Sequence, residues 1–114
     1  MIELWHNPRC SKSRQAVALL TESEAAFHER RYLDDAPTLD ELKQARAALG
    51  EPPLIEMMRP GEKLFRELGL NKTDGDDVLL QAMAEHPILI ERPLAIAGPR
   101  AVIGRPPERV LELL

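Results

Sequence analysis

The sequence predicts an α/β fold in a single domain, with its elements in the order βαβ, helices, ββα. The chain has 114 residues, near the commonest domain size of about 100 to 150 residues. Hydrophobic residues make up 44% of it and charged residues 30%, a composition typical of a domain with its own core. Short apolar runs alternate with segments whose apolar residues recur at helical spacing, and this alternation predicts the α/β class.

The N-terminal part of the chain predicts a βαβ unit. Apolar residues at 2–5 indicate a short first strand, which ends before the Asn-Pro pair at 7–8. Helical spacing of apolar residues predicts a helix from 11 to about 22, and a looser alternation predicts a second strand over 27–33. Cys10 therefore lies where the first strand leads into the first helix.

The middle of the chain, at about 38–86, predicts a helical insertion. Thr38 and Glu41 have the spacing of a capping box, so a helix should begin there and run to Leu49. Proline and glycine breaks divide the remainder. Three further helical segments are predicted, at about 55–58, 62–68 and 76–85.

The C-terminal part predicts a buried hairpin followed by a helix. Apolar residues at 94–97 and 101–103 flank a Gly-Pro pair, as in two strands joined by a turn. Prolines after Arg105 are compatible with the first turn of a helix. The apolar face predicted for this helix consists of Val110, Leu111, Leu113 and Leu114.

Composition argues against several classes of function. The net charge of −4 and a pI near 5.4 argue against nucleic-acid binding through a broad basic face. No apolar run approaches the roughly 18 residues of a membrane span, and no signal peptide is evident. We therefore expect a cytoplasmic protein. His6, His28 and His86 show no metal-ligand spacing, and no metal site is predicted.

Cys10 is the only cysteine, which excludes an intramolecular disulfide and a Cys-x-x-Cys pair. A lone cysteine is often only a small buried hydrophobic residue. At a helix N-terminus, however, free amide protons and the helix dipole favour the thiolate, which is the nucleophilic form. Cationic side chains close in sequence strengthen this interpretation. They are His6, Arg9, Lys12 and Arg14.

Residues 6–14, His-Asn-Pro-Arg-Cys-Ser-Lys-Ser-Arg, resemble the N-terminal signature His-Asn-Pro-x-Cys-x-x-Ser-Arg of the glutaredoxin-coupled arsenate reductase (ArsC) family. The resemblance continues at 32–33, at Arg59, at 86–93 and at 104–106, and so spans almost the whole chain. It implies a thioredoxin-like fold with a mixed central sheet and a helical insertion.

The resemblance also implies roles around Cys10, which would be the nucleophile that attacks arsenate. His6 would help to hold Cys10 as a thiolate, and Ser13 would form a hydrogen bond to it. Pro93 would be the cis-proline that thioredoxin-like folds place beside the active cysteine.

By the same resemblance, Arg59, Arg92 and Arg105 would bind the oxyanion. Guanidinium forks suit a tetrahedral, multiply charged anion, because each offers paired donors. The family mechanism uses no bound cofactor. Glutathione is the co-substrate, and glutaredoxin resolves the mixed disulfide left on the cysteine.

Two alternative functions remain open from the sequence. One is a glutathione-dependent thiol reductase, because residues 11–14, Ser-Lys-Ser-Arg, replace the Gly-Thr-Ser-Arg of the best-known arsenic-resistance members. The other is a non-catalytic regulator like the related Spx proteins, which bind RNA polymerase. Spx-type switches commonly carry Cys-x-x-Cys, whereas this chain has Ser13 at the second position.

Overall fold

A four-stranded mixed sheet organises the fold in the computed structural model, which describes all residues 1–114. The strand order is β2-β1-β3-β4; β1 and β2 are parallel, whereas β3 is antiparallel to both β1 and β4. The predicted α/β class with a mixed sheet is confirmed. The strands are β1 (Ile2–Trp5), β2 (Phe27–Arg30), β3 (Leu94–Ala97) and β4 (Arg100–Ile103).

Helices connect and cover the sheet. The predicted helices over 11–22 and 76–85 are confirmed, and all elements between β2 and β3 are helical. None of the helices combines the length and the apolar character needed to cross a membrane. The α-helices are α1 (Ser11–Glu22), α2 (Leu39–Ala48), α3 (Lys63–Glu67) and α4 (Asp76–Glu85). The 3₁₀-helices are Leu54–Met57, Pro87–Leu89 and Pro107–Leu113.

The second strand is shorter than predicted, because it ends at Arg30 rather than at residue 33. Its partner β1 ends at Trp5, and the last ladder bond runs from the His6 N–H to the Arg30 carbonyl. Beyond that point Pro8 has no amide proton to offer a neighbouring strand. The chain turns instead, and Tyr32 is buried in that turn.

The last helix differs from the prediction in type and in its buried face. It is a 3₁₀-helix, with three residues per turn. Pro107, Val110 and Leu113 are three residues apart and are therefore the buried positions, whereas Leu114 is 62% exposed. Of the predicted face, Val110 and Leu113 are confirmed as buried, whereas Leu111 is half-buried and Leu114 is exposed, because the prediction assumed the period of an α-helix.

Successive strand residues pack into two different cores, because side chains alternate between the faces of a sheet. Trp5 and Leu94 contribute to the core under the helical insertion. Leu4 and Ala95 contribute to the core on the other face, where α1 and the 3₁₀-helix Pro107–Leu113 pack. The sheet is thus covered on both faces, and its carboxyl end at β1 leads directly to Cys10.

The capping box at the start of α2 is confirmed and extends to a nearly buried arginine. Thr38 Oγ1 accepts the Glu41 N–H at 3.1 Å, and Glu41 Oε1 accepts the Thr38 N–H at 3.0 Å. Arg30, only 9% exposed, donates to the same Glu41 carboxylate. Its guanidinium, together with the Thr38 N–H, lowers the pKa of Glu41 to about 2. This carboxylate therefore ties β2 to α2.

We predict that Glu41→Gln lowers the free energy of unfolding at pH 7 by about 1 to 2 kcal/mol, because it weakens the charged hydrogen bonds to Arg30. The pKa of Glu41 is lower in the folded state, so its stabilisation is complete above the unfolded pKa of about 4.3 and is lost as the pH falls towards 2. Denaturant unfolding from pH 7 to pH 2.5 measures the difference. Asp40→Asn, in the same helical turn, is the control; an equal loss there would contradict the prediction.

Candidate functional site

Cys10 is the N-cap residue of α1, with extended backbone angles of φ −92° and ψ 122°. Its N–H donates to the Asn7 carbonyl at 3.0 Å, and its carbonyl accepts the Arg14 N–H at 3.0 Å. The residue is only 9% exposed. No side-chain hydrogen bond caps the helix, and the free N–H groups of Lys12 and Ser13 face the sulfur. The predicted position of Cys10, where β1 leads into α1, therefore places a shielded thiol at a helix N-terminus.

The pKa of Cys10 lies below its ordinary value, as the net result of opposing influences. Burial is the largest influence, and it raises the pKa because it disfavours the charged thiolate. The Ser13 N–H, the Arg92 guanidinium and the Lys12 N–H outweigh it together by stabilising the thiolate. A thiol poised in this way is suited to nucleophilic attack.

The cation that activates Cys10 is not one of its sequence neighbours. Arg9, Lys12 and Arg14 are exposed, and Arg14 Nη1 donates instead to the Pro8 carbonyl at 3.0 Å. Arg92, far along the chain, provides the positive charge next to the sulfur. The expected direction of the pKa shift is therefore found, but its source differs because only the folded chain brings Arg92 to Cys10.

The side chains of His6 and Ser13 contact each other. His6 Nδ1 lies 2.6 Å from Ser13 Oγ, which also accepts the Asn7 N–H at 3.1 Å. Burial is the main cause that lowers the pKa of His6 below 6.5, with Arg31 and Arg14 adding to it and Glu29 opposing it. His6 is thus mainly neutral at pH 7. The Ser13 backbone N–H, rather than its hydroxyl, provides the hydrogen bond expected at Cys10. A neutral His6 supplies no charge to the thiolate, and its side chain forms with that of Ser13 a buried pair that anchors the loop.

The structure brings Arg59, Arg92 and Arg105 together, and two carboxylates lie among them. Glu62 Oε1 lies 3.1 Å from Arg59 Nε and 3.7 Å from Arg92 Nη1. Glu91 Oε1 lies 2.9 Å from Arg59 Nη1 and 3.0 Å from Arg105 Nε. Neither glutamate was predicted from the sequence as a site residue. Their positions beside the arginines in sequence were the available signal.

Backbone pairing positions this cluster. Met58 and Ile90 form an isolated antiparallel bridge, so Arg59 and Glu91, each one residue beyond it, lie on the same face of the paired segments. The Arg59 N–H donates to the Leu89 carbonyl at 2.8 Å. Arg105 Nε is also 2.9 Å from the Arg92 carbonyl, which links the segment after β4 to the residue before Pro93. The helical insertion thereby delivers Arg59 to the same end of the sheet as Cys10.

Two buried polar atoms near the thiol have no hydrogen-bond partner, namely Tyr32 Oη and Arg92 Nε. Burial raises the pKa of Tyr32 to about 12, so its hydroxyl remains a donor at neutral pH. The charges of Arg92 and Cys10 both act on this hydroxyl. In the sequence, Tyr32 belongs to the segment 32–33 that shares the family resemblance. Its proximity to Cys10 depends on the turn after β2.

Pro93 is buried, and the Arg92–Pro93 peptide bond is cis, the geometry that the resemblance implies. The Arg105–Pro106 bond is also cis, which the sequence did not indicate.

The remaining histidines lie outside the site, since His28 is exposed on β2 and His86 follows α4. No group of three or more His, Cys, Asp or Glu side chains is arranged to hold a metal ion.

These features define a class of protein, a thioredoxin-like α/β domain with one cysteine at the start of its first helix and an arginine cluster beside it. The ArsC family profile matches residues 5–113. The chain belongs to the ArsC family.

Relatives cover nearly the whole chain. An arsenate reductase of Neisseria meningitidis serogroup A is 46% identical, over 99% of this chain and 97% of the relative. An uncharacterized protein of Escherichia coli K12, YfgD, is 40% identical, over 99% and 96%. The structure of an arsenate reductase from Vibrio cholerae superposes with a TM-score of 0.94 at 46% identity, over 99% of this chain and 97% of that one. These matches confirm the thioredoxin-like fold.

We predict that Arg92→Gln raises the pKa of the Cys10 thiol, because it removes the cation that favours the thiolate. The rate of iodoacetamide alkylation, followed against pH, gives this pKa. Arg9→Gln is the control, since Arg9 is adjacent in sequence but exposed. A profile that shifts equally in both variants would show that Arg92 is not the activating group.

We also predict that Gly104→Ala destabilises the protein by about 1 to 3 kcal/mol. A Cβ atom at Gly104 would lie 2.8 Å from Pro93 Cγ and 3.1 Å from Val110 Cγ1, so it would push the buried ring next to the site. Gly61→Ala is the matched control, because a Cβ atom there meets nothing within 4 Å. Thermal unfolding measures both, and similar melting temperatures for the two variants would refute the close-packing argument.

Proposed function

We propose that this protein is an arsenate reductase in which the Cys10 thiolate is the nucleophile and glutathione and glutaredoxin supply the reducing thiols. The observation that carries the proposal is the contact of Cys10 with Arg92, in a cluster that also includes Arg59 and Arg105. Relatives named arsenate reductases that align along almost the entire chain support the choice of substrate.

The unpartnered donors favour a polar anion as the ligand. Tyr32 Oη and Arg92 Nε are buried without hydrogen bonds. Leaving a buried donor unsatisfied costs about 1 to 3 kcal/mol, and an acceptor that satisfies it recovers this energy. An oxyanion beside Cys10 offers several acceptor oxygens at once, so it suits a site with donors on more than one side.

The first chemical step forms a bond between the Cys10 sulfur and arsenic. The thiolate attacks As(V), and one arsenate oxygen leaves as water after it has gained protons. The guanidinium groups stabilise the charge on the remaining oxygens. The product is a covalent thioarsenate on Cys10, with arsenic still in its oxidised state.

The second step transfers two electrons to arsenic. The glutathione thiolate attacks the adduct, a disulfide forms between glutathione and Cys10, and arsenic leaves as arsenite, As(III). Cys10 has no second cysteine in this chain with which to form a disulfide. Glutaredoxin therefore removes the glutathione by thiol exchange and regenerates the thiolate.

We predict that arsenate drives NADPH oxidation when this protein is combined with glutathione, glutaredoxin and glutathione reductase. Cys10→Ser abolishes the rate, because a hydroxyl is not ionised at neutral pH and replaces the nucleophile poorly. Arg9→Gln is the control that changes an exposed charge beside Cys10 and retains turnover. Turnover that persists in Cys10→Ser would refute the mechanism.

A glutathione-dependent thiol reductase is the second candidate, favoured by the pairing of the site arginines with Glu62 and Glu91. Such pairing leaves less positive charge for a multiply charged substrate. Cys10-dependent reduction of a glutathionylated peptide, with no arsenate turnover, would favour this candidate over the first. Activity on arsenate with no activity on the peptide would exclude it.

A further inference from the structure

One oxygen atom of Glu91 accepts hydrogen bonds from the Arg59 side chain and the Arg92 backbone, and it also forms an ion pair with Arg105. Glu91 Oε1 accepts from Arg59 Nη1 at 2.9 Å and from the backbone N–H of Arg92 at 3.0 Å. It also lies 3.0 Å from Arg105 Nε, whose N–H donates to the Arg92 carbonyl at 2.9 Å. The carboxylate is therefore located where these donors converge, which is where an oxyanion oxygen would be bound.

Glu62 plays a similar but lesser part. Its Oε1 lies 3.1 Å from Arg59 Nε and 3.7 Å from Arg92 Nη1. Together, the two carboxylates and the Cys10 thiolate balance the formal charge of the three guanidinium groups. The site is thus close to electrical neutrality before any ligand binds, and a bound oxyanion adds negative charge to it.

We propose that Glu91 is an internal competitor of the oxyanion, so that an arsenate-type tetrahedral anion binds by replacing its carboxylate on the arginine donors. This proposal rests on the proposed function for the identity of the anion. Both groups are oxygen acceptors for the same donors, and a donor already engaged by one is not available to the other. Glu91 consequently sets the affinity of the site.

The fold has room for the replaced carboxylate. Glu91 and Arg105 lie on the wall of an open cavity of about 440 Å³ on the side of the cluster towards β4. Arg109 is another cation on this wall; it pairs with Glu112 at 3.3 Å, and its side chain is 47% exposed. The Glu91 carboxylate can therefore leave the donors for the solvent in this cavity without displacing the core.

The experiment compares arsenate binding to Glu91→Gln and to the wild type, as protection of Cys10 from iodoacetamide in the absence of glutathione. Glutamine keeps the shape of the side chain but is a weaker competitor for guanidinium donors. We expect the arsenate concentration for half-protection to fall by about fivefold or more in Glu91→Gln. A smaller decrease is expected for Glu62→Gln, which has fewer contacts with the arginines.

Glu56→Gln is the matched control. Glu56 lines the same cavity, makes no hydrogen bond or ion pair with an arginine, and loses the same formal charge. We expect less than about a twofold change there. Equal changes in arsenate affinity in the Glu56 and Glu91 variants would indicate that the loss of any nearby negative charge is sufficient. Unchanged or weaker binding in Glu91→Gln would indicate that the carboxylate only orients the arginines. Either result would overturn the proposal.

Glu91→Asp provides a second variant in case Glu91→Gln fails to fold, since it keeps the charge but shortens the reach to the donors. It should also bind arsenate more tightly than the wild type, and unchanged binding would count against the proposal.

Because binding is measured without reductants, a wild type that binds arsenate but does not turn it over refutes the proposed function alone. Turnover combined with unaltered binding in the Glu91 variants refutes the present inference alone.

Discussion

The site depends on balancing three guanidinium charges held together in a partly buried space. Arg59, Arg92 and Arg105 would repel one another if no opposite charge lay between them. Glu62 and Glu91 provide that charge, and Glu91 does so with one oxygen that contacts groups of all three arginines. The arrangement holds the cations in place before a ligand arrives.

The same constraint explains the position of the helical insertion. Arg59 follows a 3₁₀-helix of the insertion, and the Met58–Ile90 bridge ties it to the segment that leads into β3. The Glu91 N–H donates to the Met57 carbonyl at 2.7 Å and strengthens this link. The insertion therefore covers one core of the sheet and also supplies a guanidinium to the cysteine end of the fold.

Activation of Cys10 requires both local and distant groups. The N-terminus of α1 supplies N–H donors, but burial of the thiol acts against ionisation and is the largest single influence. Arg92 helps to tip this balance, because its charge is close to the sulfur and shielded from solvent. The side chains of His6 and Ser13 hold the preceding loop by their mutual hydrogen bond, and so these side chains act on the geometry of Cys10 rather than on its charge.

The sequence by itself determined the α/β class, the capped start of α2, the location of Cys10 at a helix N-terminus and the family resemblance, because these depend on local spacing and on motifs. It did not determine the end of β2, which depends on its partner strand, or the buried face of the last helix, which depends on its 3₁₀ period. Only the tertiary structure decided which cation faces the thiol and which carboxylates engage the arginines. These are contacts between residues distant in the chain, and their strength depends on burial and on distances of a few ångströms, which no local pattern specifies.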